Sequence, residues 1–220
     1  MYVHPAFKAD PETSKALLSE RGFGTLVATG PIFPMAAHVP FLFSPTDAGG
    51  RVELHVARAN PIHEAIAATP SVLLVCTGPD AYVSPDWYES PNQAPTWNYV
   101  AVHATGQARI MDRDWLPAHL ERLSAAFEAW YPKAPWRLDK VDPQRIAAMV
   151  NAVVGITIEV ETLEGNWKLG QHKGRDDHEG VVAGLRATAN PGSVAVADLM
   201  DEARHQAWLN GSRPEPLLRI

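Results

Sequence analysis

Strand-like segments joined by short connections constrain this chain more than any other feature. Residues 51–56 alternate strictly, with Val52, Leu54 and Val56 apolar and Arg51, Glu53 and His55 polar. That period of two marks a strand with one face in a core. Residues 25–29, 37–43, 72–77, 81–84, 98–111 and 155–163 are apolar and β-prone, so about seven strands are expected in all. The run Ala48-Gly49-Gly50 predicts a hairpin between 37–43 and 51–56. The rhythm of strand, crossover helix, strand is missing, which argues against a doubly wound sheet. The expected architecture is mainly β with peripheral helices, in the form of an antiparallel barrel.

Three Asx-Pro pairs mark the starts of the early helices. Asp10-Pro11, Asn60-Pro61 and Asp142-Pro143 each place a capping side chain before a proline suited to the first helical turn. The first of these helices should stop at Gly22, and the second should run from Pro61 to about Ala68. The third carries Ile146 and Met149. A longer helix is expected after Asp112, with Leu116, Leu120, Leu123 and Phe127 on one face. Helices over 179–187 and 196–209 follow. We divide the 220 residues into a domain over 1–190 and a C-terminal helical tail over 191–220.

Composition narrows the classes of function. A net charge of −6 argues against a nucleic-acid or anionic-membrane partner, which would favour a basic surface. The single cysteine, Cys76, lies in an apolar run and reads as a small buried hydrophobe. One cysteine makes no intrachain disulfide, which fits a reducing compartment. Residues 1–5 carry no charged-then-apolar leader, and no apolar stretch is long enough to span a bilayer. The cytoplasm is the expected location.

Three runs could carry chemistry. In residues 53–61 a strand ends, Arg58 follows, and an Asn60-capped helix begins. Free N–H groups at a helix start and a guanidinium fork suit a phosphate; the alternative is a surface arginine beside an ordinary cap. Residues 78–88 and 95–103 are Pro-punctuated and aromatic. Tyr82, Ser84, Trp97 and Asn98 could line a slot for a flat heteroaromatic ring, or the aromatics could fill a barrel rim or a subunit contact. Residues 164–173 place Lys168, Gln171 and Lys173 on what reads as an irregular segment: a second anion contact, a reach across a dimer interface, or solvated charge. Other chemistries fail on spacing. The nine histidines form no HExxH and no Cys/His zinc pattern. There is no GxSxG elbow and no P-loop. Gly22-Phe23-Gly24 precedes a strand, so it is no dinucleotide fingerprint. Asp176, Asp177 and Glu179 read as a helix start. No catalytic residue and no metal ligand is expected.

Taken in order, these runs resemble the PaiB-type family of FMN-binding negative transcriptional regulators, a branch of the split-barrel flavin-binding proteins. The resemblance begins at Met1-Tyr2-Val3 with Pro5 and Phe7 and continues through His38-Val39-Pro40, residues 55–61 and Gly78-Pro79. It takes in Tyr82-Val83-Ser84-Pro85 with Trp87-Tyr88, then residues 95–103 with Gly106, and ends near Gly184-Leu185. It implies a split β-barrel of the pyridoxamine-phosphate-oxidase-like kind, a homodimer, and FMN held near the dimer interface. On that resemblance the expected FMN-binding residues are His55, Val56, Ala57, Arg58, Asn60, Tyr82, Ser84, Thr96, Trp97, Asn98, Lys168 and Gln171. The lysine-rich run departs from the family, with Gly170 and His172 where Ser and Asn are usual.

The resemblance implies a repressor, and with it direct DNA binding that the charge does not support. No helix-turn-helix stands out, because residues 132–136 are too irregular for its tight turn. The alternative is an FMN-dependent oxidoreductase linked to flavin or NAD(P)H, in which the cofactor would carry the hydride.

Overall fold

The structure is a computed structural model that describes residues 1–46 and 49–209. Ala48 of the expected turn and residues 210–220 of the expected tail lie outside them. In chain order the elements are α1 (Pro11–Arg21), β1 (Phe23–Thr29), β2 (Pro34–Ser44), β3 (Gly50–Ala57), α2 (Ile62–Ala68), β4 (Ser71–Val83), β5 (Thr96–Ile110), α3 (Leu116–Glu128), α4 (Pro143–Asn151), β6 (Val153–Lys168), α5 (Arg175–Ala187) and α6 (Pro191–Leu209). The six strands close a barrel in the order β1-β2-β3-β6-β5-β4. The registers of β1 with β2 and β4, and of β3 with β2 and β6, are antiparallel.

The structure corrects the strand count from seven to six. The two segments expected over 72–77 and 81–84 are one strand, β4, which runs straight through Gly78-Pro79. Register with β1 ends at Val75, so Pro79 lies where a missing N–H breaks no bond to that neighbour. β6 also continues to Lys168, so residues 164–168, expected to be irregular, are strand. The helix starts fare better. Asp142 Oδ1 accepts from the N–H groups of Gln144 and Arg145 at 2.9 and 3.2 Å. Gly22 ends α1 at φ +55°, a left-handed position that suits glycine.

The chain divides into two compact units. One contains residues 14–76 and 103–163. Its core is built by the period-two faces of the strands: Leu54 pairs with Phe41 on one side and Ile156 on the other, and Val52 pairs with Ile158. Leu26, Val52, Leu54, Leu74, Cys76 and Ile156 are fully buried. Burial raises the Cys76 thiol to about 11, so it is inert at neutral pH. α3 lays Leu116 and Leu123 inward, the apolar stripe its sequence carries.

The other unit contains residues 1–13, 77–102 and the chain from 164 onward. Here Val83, Val100, Leu169, Val181, Leu185 and Val196 are buried. Trp87 lies against α5 where that helix carries glycines. A Cβ at Gly184 would stand 2.3 Å from the indole, and one at Gly180 would stand 2.2 Å from the Trp87 carbonyl oxygen. Trp87 is therefore a packing residue. α5 and α6 are joined through Thr188, Ala189 and Asn190, with Ala189 at φ +54°. Arg186 on α5 reaches Asp198 and Asp201 on α6 at 2.8 and 2.9 Å.

Candidate functional site

In the first unit the residues of interest follow β3. Arg58 is fixed by backbone carbonyls at the end of α4 and just after it. Its Nε donates to Asn151 O at 2.7 Å, its Nη2 donates to Val153 O at 2.9 Å, and its own N–H donates to Ala152 O at 2.7 Å. Two of its five side-chain N–H groups are thus committed to orientation, and the rest of an exposed guanidinium remains. His63 Nε2 lies 3.0 Å from the Arg58 carbonyl. α2 begins at Ile62, one residue later than expected, and Asn60 Oδ1 accepts the Ile62 N–H at 3.1 Å. Glu64 and Ala65 donate to Pro61 O. The Asn60 cap thus takes one of the N–H groups that the sequence reading offered to an anion.

The other members of that run face elsewhere. Val56 is buried in the core, and Ala57 accepts the Asn60 N–H at 2.9 Å. His55 points out from β3 under α3, where its Nδ1 lies 3.2 Å from His119 Nε2. His119 is fully buried, stacked on Trp115 at 4.4 Å between ring centroids, with its Nδ1 3.8 Å from Glu53 Oε2. Burial depresses both imidazoles, that of His119 to about 4, with the neighbouring His55 adding to the effect. The sequence reading missed His119. The signal was present, because it occupies the 116, 120, 123 face of α3 that it otherwise identified.

In the other unit, two pairs of expected residues meet. Lys168 Nζ donates to Thr96 Oγ1 at 2.6 Å, and burial lowers the lysine's affinity for its proton. Tyr82 on β4 and Trp97 on β5 pack edge to face at 6.1 Å, 47% and 53% exposed. This is an aromatic surface left open, with a half-buried ammonium in the same unit. Asn98 faces the core instead, its Nδ2 3.3 Å from Met200 Sδ. Ser84 caps the short helical turn Pro85–Trp87 by accepting from Asp86 N. Gln171 folds back on its own backbone, accepting from Leu169 N at 2.9 Å and donating to Trp167 O. At the two unusual positions, Gly170 takes φ +74° and His172 packs edge-on against Phe7. Burial and two nearby lysines push the His172 imidazole down to about 4. No group of three or more His, Cys, Asp or Glu among the described residues is arranged to hold a metal.

A six-stranded antiparallel barrel with this helical dressing is the fold of the split-barrel flavin-binding proteins. The flavocytochrome Anf3 of Azotobacter vinelandii superposes with a TM-score of 0.52 at 16% identity, over 77% of this chain and 73% of that one. The FAD and heme binding protein of Mycobacterium smegmatis gives 0.51 at 16% identity, over 80% and 78%. Both likenesses concern the fold. Residues 1–162 match the model of the putative FMN-binding domain family. "Protease synthase and sporulation protein PAI 2" of Bacillus subtilis is 32% identical over 203 residues, covering 92% of this chain and 97% of that protein. The chain therefore belongs to the putative FMN-binding domain family, in its PaiB-type branch, and FMN is its cofactor.

In the first unit, the chemistry of one side chain is compatible with part of that group. FMN presents a phosphate, a hydroxylated chain and a flat ring edged with carbonyls. Arg58, oriented by Asn151 and Val153, suits the phosphate. When bound, FMN supplies electron- and hydride-transfer chemistry of its own.

Proposed function

We propose that this FMN-binding protein is a homodimeric negative regulator of transcription that works in the cytoplasm, with the phosphate of FMN received by Arg58. The observation that carries the phosphate assignment is the pinned guanidinium. Two carbonyls hold its plane while further N–H groups stay available at an exposed strand end. A fork oriented in advance loses less entropy on binding an anion. The similarity to PAI 2 supports the regulatory reading, and the buried thiol of Cys76 suits a reducing compartment.

Each charge-assisted hydrogen bond to the phosphate is worth roughly 1.5–3 kcal/mol, so Arg58→Ala should weaken FMN at least tenfold by fluorescence titration. Riboflavin, which lacks the phosphate, should bind wild type and variant alike. Equal affinity of the wild type for FMN and riboflavin would remove Arg58 from the phosphate site.

A further inference from the structure

A cavity of about 390 Å³ lies on the outer faces of β3, β5 and β6 in the unit that holds residues 14–76 and 103–163. None of its lining residues is among those assigned to FMN. Apart from the buried Ala108 at its floor, the strand side chains that line it alternate with the core positions of the same strands, as the pleat requires. Glu53 lines it and lies five residues before Arg58, which is roughly 16 Å along an extended strand.

The charges around the cavity are unevenly matched. Glu159 accepts from Arg51 Nε at 2.7 Å, and Glu53 accepts from Arg122 Nη2 at 2.6 Å. Both carboxylates are thus taken. Arg109 also lines the cavity, and its guanidinium has no carboxylate partner among the described residues. The balance left to a visitor is one guanidinium. Beside it stands an apolar wall that is already set. The Trp115 indole stacks on His119 and rests on Gly155, where an added Cβ would stand 2.7 Å from the ring. Met111 is held by the Thr157 hydroxyl, which donates to its sulfur at 3.3 Å.

We infer that this cavity binds a small organic acid with a flat apolar body, its carboxylate on Arg109 and its body against Trp115 and Met111. A carboxylate matches the guanidinium fork. The volume lies within the roughly 300–1,000 Å³ of small-molecule sites. The ring is immobilised before the ligand arrives, so little further order has to be imposed.

The test is calorimetric titration of the FMN-loaded protein with benzoate and with indole-3-acetate. Benzamide and indole-3-acetamide are the uncharged comparators. At least one acid should bind saturably, one per chain, and at least tenfold more tightly than its amide. Arg109→Gln should erase that preference while leaving the flavin spectrum and the melting temperature unchanged, since the side chain is exposed and unpaired. Arg109→Lys should retain part of it. The inference is overturned if neither acid binds at millimolar concentration, if acid and amide bind alike, if Arg109→Gln binds the acid as wild type does, or if the acid displaces FMN.

Discussion

Individual residues here are held by what an extra atom would meet. Gly106 on β5 has no room for a side chain, because a Cβ would stand 1.9 Å from the carbonyl oxygen of Glu159. Backbone cannot yield as a side-chain tip can. Gly106→Ala should therefore cost about 3 kcal/mol or more, read as a fall in denaturant midpoint with unchanged slope. Gly184→Ala meets the Trp87 ring instead and should cost about 1–3 kcal/mol. In a Trp87→Ala background, where the ring is gone, the extra cost of Gly184→Ala should vanish. If it persists, the Trp87 contact is not what that glycine serves. Both glycines were visible in the sequence as members of matching runs. Their physical purpose was not, because it lies in atoms far along the chain.

At the scale of elements, α3 docks on β3 through a pair of neutral imidazoles. His119 is pushed to about 4 by burial first and by His55 second, while Glu53 opposes the shift. Its folded value lies below the ordinary 6.5, so the unfolded chain binds more protons between about pH 6.5 and 4. The stability that neutral His119 contributes is present in full above pH 6.5 and is lost as pH falls towards 4. The loss is on the order of 3 kcal/mol. His119→Phe keeps a ring against Trp115 and should flatten the fall in stability across that window. An unchanged profile would assign the acid sensitivity elsewhere. In α2 the position of the helix was readable from Asn60-Pro61, but its first free N–H was not. The side-chain cap that announces the helix also occupies one of the donors the anion reading relied on.

For the whole molecule, surface and charge set the expectations. Tyr82 and Trp97 are half exposed on paired strands, and aromatic anchors of this sort are typical of interface cores. Sedimentation at micromolar concentration should give twice the 24.0 kDa chain mass. Trp97→Ser should shift it towards the monomer; a wild-type monomer would exclude a dimeric regulator. The net charge is −6, and the α5–α6 pair carries Asp176, Asp177, Asp198, Asp201 and Glu202. Phosphate neutralisation supplies most of the affinity for duplex DNA. Direct binding by the isolated protein should therefore be weak at about 0.15 M salt, and repression should run through a partner or a ligand. A mobility shift on its own upstream region that stays saturable at nanomolar protein against excess competitor would show the reverse.

The alternating strands, the Asx-Pro helix starts, the Gly22 stop and the family runs were all local patterns, and local patterns can be read from sequence. They were enough for a barrel, for its helices and for FMN. What remained was decided by partners distant in the chain. Proline at 79 did not end β4, whose register with β1 stops at Val75. Asn98 and Val56 turned inward, Gln171 closed on its own backbone, and His55 met His119 from an element 64 residues away. Side-chain direction at a strand end, and the choice between solvent and neighbour, depend on which surface arrives opposite. Only the tertiary structure brings that surface into place.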